Sequence, residues 1–374
     1  MDTDNKFDLI IIGGGIVGLW SAYFAAQRGL KTVLVEEHGI AAGASGGLLG
    51  ALMPHSPDRW NAKKQFQFEA LTQLPSLVDE LESRTGQQVG YQRVGRLAPI
   101  LKDHHVDEVA RRAEGAKEFW QADAGTFAMQ QMEAGPAENW PAADAMPFGV
   151  AVENLSARLS PRKLIMALAG ALHGSIDLRF GTRAAFLGEK QVTLGDGSVL
   201  YSDKILVSAG LASFDMLRPY APQIAGRGVK GQAAMLGTNL DPNLPIIYSD
   251  GIYLIVHDDG TTAIGSTSEK EFKEGRETDH LLDEVIEKAR LLSPLIKDAP
   301  VIERWAGVRP QAQGRDPLVG ALPNNEWLYV ATGGFKISFG IAHLMAQAVI
   351  GAAIEDTDAP QIPDAFQPSA RFAS

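Results

Sequence analysis

The sequence predicts an α/β fold built on a parallel sheet, and three observations carry that reading. The chain opens on a wholly apolar strand, a glycine turn, an apolar helix and a second apolar strand, in "FDLIIIGGGIVGLWSAYFAAQRGLKTVLVEE". Strand and helix signals alternate again after residue 159 and near the C-terminus. Between them lie two stretches, 85–149 and 216–302, whose mixed short strands, charged helices and Pro/Ala-rich loop read as insertions.

Residues 7–12 form a continuous apolar run, as expected of a central strand covered on both faces. Gly13, Gly15 and Gly18 follow with G-x-G-x-x-G spacing. Residues 16–28 read as a helix stopped by Gly29, and 31–35 as a strand ending at Glu36, 18 residues after Gly18. Gly13 would permit the tight turn, Gly15 the approach of a pyrophosphate, and Gly18 close helix–strand packing. The helix N-terminus would offer N–H groups to phosphates. Glu36 would accept from ribose hydroxyls and repel a 2′-phosphate, which disfavours NADP. The combination predicts a dinucleotide site; the glycines alone leave NAD and FAD open. Residues 7–26 approach the ~20 apolar residues of a membrane span, but three central glycines favour strand, turn and helix, so no span is expected.

A small-residue loop follows in "GIAAGASGGLLGALMP", where another βα unit would be usual in an NAD domain. Its lack of bulk suits backbone laid against a flat ring or pyrophosphate. Ser160 and Pro161 predict an N-cap and first position for a helix reaching about Leu172. Strands are expected near 176–182, 191–194 and 204–208, with a turn at Gly195-Asp196-Gly197. In the insertions, a short strand is expected at 96–100 and helices at 105–121 and 279–292. In the last helix Leu282, Val285, Ile286 and Ala289 share one face, and Glu284–Lys288 is a solvated pair.

The 374 residues suffice for two packed units or one domain with a large insertion. A net charge of −11 repels phosphate backbones, so no nucleic-acid partner is expected. With no cysteine, thiolate catalysis, zinc–sulfur sites and cysteine-linked cofactors are excluded. The acidic start "MDTDNKFD" lacks the basic region of a secretion signal, and a cytoplasmic location is expected. Neither a spaced His/Asp/Glu metal cluster nor a G-x-S-x-G pattern stands out.

Six ordered motifs then converge: the N-terminal stretch above, "GASGG", "ILVSAGLAS", "YLIVHDDGTTAIGST", "WAGVRPQAQGRDPLVG" and "YVATGGFKISFGIAHLMAQAV". Together they resemble the D-amino-acid oxidase family of FAD-dependent oxidoreductases, the group of glycine and sarcosine oxidases and D-amino acid dehydrogenases. The resemblance implies a discontinuous Rossmann-like, glutathione-reductase-like FAD domain (1–84, 150–215, 303–374). It also implies an α+β substrate domain (85–149, 216–302) on a mixed, mainly antiparallel sheet. The implied FAD contacts are Gly13, Gly15, Ile16, Val17, Gly18, Glu36 and Glu37, then Ala44, Ser45, Gly46, Leu49 and Gly50. They continue through Ala184, Ala209, Gly210, Gly307 and Arg309 to Gly333, Gly334, Phe335, Lys336, Ile337 and Ser338. The chain departs from many relatives at Gly334 and Ser338, where they carry a His or a second Gly. It has no Cys, and Gly46-Gly47 stand where covalent relatives attach flavin through His, so non-covalent FAD is expected.

Three residues would carry the chemistry that the resemblance implies. Arg309, in Gly307-Val308-Arg309-Pro310, would bind the substrate carboxylate as a planar fork; a salt bridge to Asp316 competes with that reading. Tyr253 would hold the carboxylate or wall the pocket, against simple strand packing. Lys336 would reach the carboxylate or the flavin, against a loop lysine facing solvent. Ser338 reads as an N-cap of a helix over 339–354, whose dipole the family aims at the flavin pyrimidine carbonyl. His55 could lie near the cofactor, His104-His105 reads as an exposed helix start, and His257 and His343 read as structural. The implied reaction oxidises a C–N bond beside a carboxylate of a small amine or amino acid, with oxygen or another acceptor taking the electrons. The alternatives are the glycine-like group of a modified tRNA wobble uridine, a 2-hydroxy acid, or a dinucleotide-binding sensor without turnover. Oligomeric state is not legible.

Overall fold

The computed structural model describes residues 5–123 and 125–372. Two eight-stranded sheets organise them. In the first sheet, strands Asp177–Phe180, Thr32–Glu36, Lys6–Ile12, Val199–Val207 and Asn325–Thr332 run parallel in that order. The opening strand is apolar all along because both faces are covered. Leu9 and Ile11 join a core with helices Ile16–Gln27, Ala62–Thr85, Pro161–Leu172 and Ser338–Ala353, while Ile10 and Ile12 join a second core with Phe214 and Leu217. Val199–Val207 is longer than the expected 204–208. Its first half pairs with the antiparallel strand Gln191–Leu194 and its second half with Asn325–Thr332.

The second sheet is antiparallel except where Ile246–Ser249 meets Arg96–Pro99 in parallel. Helix His280–Leu292 covers it with Leu282, Val285, Ile286 and Ala289, the face read from the sequence. Glu284 and Lys288 form an exposed pair at 3.7 Å. Strands Val150–Glu153 and Val301–Ala312 belong to this sheet, whereas the expected division at 150 and 303 put nearly all of both with the first. The reason is pairing: Gly226–Leu236 zips onto Val301–Ala312 from Gly226 opposite Ala312 to Leu236 opposite Val301. Helix Ala62–Thr85, which the sequence reading did not delineate, starts where the Asn61 side chain accepts from Lys63 and Lys64 N–H and stops at Gly86 with φ 67°.

Two glycines weld the first turn. Gly13 has φ 111°, open to glycine but strained for other residues. A Cβ on Gly18 would sit 1.8 Å from the Gly13 carbonyl oxygen and 2.9 Å from Ser208 Oγ. The segment Phe335–Ala353 is long and apolar enough to cross a membrane, yet it packs against helices Ile16–Gln27 and Ala62–Thr85. There His343 is fully buried, its Nε2 2.9 Å from the Ala70 carbonyl and its ring edge-on to Trp20.

Two outcomes follow from this packing. Gly18→Ala forces helix from strand and lowers stability by about 1–3 kcal/mol, read by thermal unfolding. Burial drops the His343 pKa from 6.5 to about 4. The folded state then binds fewer protons than the unfolded chain between those values. The residue's contribution is complete above 6.5 and is lost as pH falls toward 4, worth on the order of 3 kcal/mol. Urea unfolding across that range is expected to show a shallower acid loss for His343→Gln than for the natural chain.

Candidate active site

A cleft of about 810 Å³ lies where the two sheets meet. Its nucleotide end is built by the first turn. Gly13, Gly15, Ile16 and Val17 line it, and a Cβ on Gly15 would meet only Ser45 Oγ, at 3.2 Å. Ser45 Oγ accepts from the Ile16 N–H at 3.1 Å, so one of the helix-start donors is already used. Among the described residues the amides of Gly15 and Val17 have no hydrogen-bond partner, which leaves donors facing the cleft. Glu36 accepts from Gly14 N–H at 2.7 Å and His38 N–H at 3.0 Å; this clamps the loop and aims the carboxylate at the cleft edge. These orphan donors and the Cβ-free surface at Gly15 fit a dinucleotide.

Most of the remaining predicted contacts gather here. Glu37, Ala44, Ser45, Leu49 and Gly50 line one wall; Ala184, Ala209 and Gly210 line another. Gly307, Gly333, Gly334, Phe335, Ile337 and Ser338 close the far end. Two expected contacts do not reach the cleft. Gly18 is spent on helix–strand packing. Gly46 is buried, its Cβ position 2.3 Å from the Ala41 oxygen, and its carbonyl accepts from Arg162 Nε at 2.8 Å. Ser338 is the first residue of the final helix rather than its cap; its hydroxyl donates to the Phe335 carbonyl at 3.2 Å. A short 3-10 turn, Phe335–Ile337, intervenes, with Phe335 at φ 50°. His55 is exposed and off the cleft. His257 is structural, its Nε2 2.8 Å from the Leu48 carbonyl.

Arg309 lies inside strand Val301–Ala312, and its side chain crosses Gly231, where a Cβ would come within 2.0 Å of Nη2. Its Nη2 donates to the carbonyls of Thr267 at 2.6 Å and Lys230 at 3.3 Å, and Nη1 to Ser266 Oγ at 3.4 Å. The guanidinium lies 5.5 Å from the Phe335 ring. Among the described residues it has no carboxylate partner, and the competing candidate Asp316 is taken by Lys63 at 2.6 Å. Neutral oxygens thus hold the guanidinium, with no direct carboxylate contact among the described residues. Desolvation pulls its pKa down, against the pull of Tyr253 and Glu269. Such a cation favours an anion in the cleft.

Tyr253 is buried on strand Ile252–Val256, its ring tilted against Tyr248 at 4.7 Å, and lines the cleft with Arg309. Burial first, then Tyr248, pushes its pKa up to about 12. Lys336, exposed on the 3-10 turn, also lines the cleft; desolvation and then Arg309 hold its ammonium below the lysine range. The three predicted chemical residues therefore converge. The sequence reading did not single out Trp305, whose ring lies over Gly307 and against Gly47, or Gln67, buried at the cleft wall. It also missed the loop carrying Glu274, Gly275, Arg276 and Glu277. "WAGVRP" contained a signal for Trp305; the others had none.

A family model described as FAD dependent oxidoreductase (DAO) matches residues 8–348. Glycine oxidase of Geobacillus kaustophilus is 24% identical over 343 residues, covering 89% of each chain. Glycine oxidase of Pseudomonas putida is 25% identical, covering 91% of this chain and 92% of that protein. The crystal structure of the Geobacillus enzyme superposes with TM-score 0.84 at 19% identity, over 97% of this chain and 98% of the other. That of iminodiacetate oxidase from Chelativorans gives 0.84 at 21% identity, over 96% and 98%.

The tyrosine environment gives a pH outcome. A raised folded pKa means that the neutral phenol is favoured; this contribution is complete below the ordinary value of 10.0 and is lost as pH climbs toward about 12. Ultraviolet difference titration of the natural chain against Tyr253→Phe is expected to show this phenol ionising well above its ordinary value of 10.0; ionisation near that value would contradict the buried geometry.

Proposed function

Because this chain belongs to the FAD-dependent oxidoreductase (DAO) family, we propose that its FAD-bound form oxidises the C–N bond of a small amino acid or N-substituted amino acid. One observation carries the reading: Arg309, anchored by two carbonyls and free of any described carboxylate, faces the same cleft as the nucleotide glycines. A guanidinium so held binds a carboxylate as a fork without having to give up an ion pair. The names of the relatives, glycine and iminodiacetate oxidases, point to the same substrate class.

FAD, when bound, supplies the acceptor for the hydride leaving the substrate α-carbon. The chain's own work is orientation. Arg309 fixes the carboxylate and so the direction of the α-C–H bond. Tyr253 remains a protonated donor beside it. Lys336 adds a second cation whose charge the first already disfavours, so both gain from an anion between them. The C–N bond becomes C=N as a hydride leaves carbon and a proton leaves nitrogen to water. Hydrolysis then yields an oxo acid and ammonia or an amine. With Gly46-Gly47 and no cysteine, the flavin is held non-covalently.

The test is anaerobic addition of glycine, sarcosine, iminodiacetate, D-alanine and L-proline to the holoprotein. Bleaching of the flavin band by one or more of these, and not by an amine lacking a carboxylate, is expected; no bleaching by any amine sinks the reading. Arg309→Met is expected to lower kcat/KM about 100-fold or more, mostly through KM, with the flavin retained.

A further inference from the structure

Beneath Arg309 lies a polar cluster that the reaction does not use. Lys230 is a buried lysine on strand Gly226–Leu236, its side chain 4% exposed. Its ammonium reaches Asp279 at 2.8 Å and Glu269 at 3.6 Å. Gln232, two residues along, donates to the same two carboxylates at 2.8 and 2.9 Å, and its carbonyl accepts from Asp279 N–H at 2.8 Å. Glu269 also pairs backbone to backbone with Lys230, at 2.9 and 3.0 Å. Asp279 also caps the helix His280–Leu292.

Glu269 and Asp279 are the two ends of one segment. Residues 270–278 between them, "KEFKEGRET", run along the cleft mouth, where Glu274, Gly275, Arg276 and Glu277 line it. The loop touches down beside Arg309: a Cβ on Gly275 would lie 2.6 Å from Val308 Cγ2, and Phe272 approaches Gly228. The same cluster sets the guanidinium's acceptors. Thr267 hydrogen-bonds Glu269 through its hydroxyl, which also accepts from Gln232 N–H at 2.9 Å, and its carbonyl holds Arg309 Nη2. Lys230 offers the second carbonyl.

We propose that Lys230 and Gln232 form a clasp that pins both ends of the 270–278 loop over the cleft and, through Thr267, fixes the aim of Arg309. They are positioning residues: loop closure and carboxylate anchoring are set by one cluster. The loop then limits the size of the amino acid admitted, because it stands over the residue that grips the carboxylate. This rests on the amine-oxidising reading for its kinetic part only.

The test uses the holoenzyme of Lys230→Met, of the milder Glu269→Gln, and of Lys230→Arg. Trypsin cuts after Lys and Arg, and the loop carries Lys270, Lys273 and Arg276. Cleavage at these sites is expected to be about tenfold faster in the first two variants than in the natural chain, since proteolysis follows the open population. KM for the amino acid is expected to rise about tenfold with kcat within about threefold, with bulkier substrates gaining, and Lys230→Arg restoring part of both. An unchanged flavin band shows that each variant is folded; should Lys230→Met not fold, Glu269→Gln carries the test. Equal cleavage in variant and natural chains overturns the clasp, as does a freed loop with unchanged KM. Proteolysis needs no substrate, so a freed loop in a protein that no amine bleaches would leave the clasp standing and discard only the amine assignment.

Discussion

The contact of Gly18 with the Gly13 carbonyl is the constraint on which the cleft depends. A Cβ at Gly18 would overlap that oxygen, so only glycine lets helix Ile16–Gln27 sit down on the end of strand Lys6–Ile12. That seating sends the unpartnered amides of Gly15 and Val17 into the cleft and brings Ile16 N–H to Ser45. Glu36 closes the arrangement by taking the Gly14 amide from the neighbouring strand. A few short backbone distances thus build the dinucleotide floor, and the large apolar cores on either side of the sheet hold those distances fixed.

The opposite wall obeys a different logic. The second sheet presents Arg309 to the cleft through a bare glycine, Gly231, and holds it with carbonyl dipoles instead of a carboxylate. An ion pair there would have neutralised the cation and removed its use to a substrate. Acidic groups are present close by, but Lys230 and Gln232 engage them. Segregating acid from guanidinium keeps the anchor charged toward the cleft while the cluster as a whole stays close to balanced.

The loops connect these two walls. Residues 43–50 join the opening helix through Ser45, which accepts from Ile16 N–H, and pack on the second sheet through Gly47 against Trp305 and Leu48 among Ile246, Tyr253 and Ile255. Residues 270–278 start and end on the second sheet and reach over the cleft. The side chains proposed to face the substrate lie between them, on strands Ile252–Val256 and Val301–Ala312 and the turn Phe335–Ile337.

That Arg309, Tyr253 and Lys336 belong to one site is what the family resemblance implied and the fold brought together; the sequence by itself determined the opening βαβ unit, the cap at Ser160 and the apolar face of His280–Leu292. These are local matters of period, turn chemistry and motif, and neighbours along the chain are enough to specify them. Only the tertiary structure decided which sheet owns Val150–Glu153 and Val301–Ala312, since strand partners are chosen across long separations. It alone turned Gly46 away from the cleft and made Ser338 a helix residue instead of a cap, because both depend on what packs against the turn. It also decided that Asp316 pairs with Lys63 and leaves Arg309 to the cleft. Charge partners are fixed by distance in space, and seven residues of sequence separation say nothing about which carboxylate a guanidinium will meet.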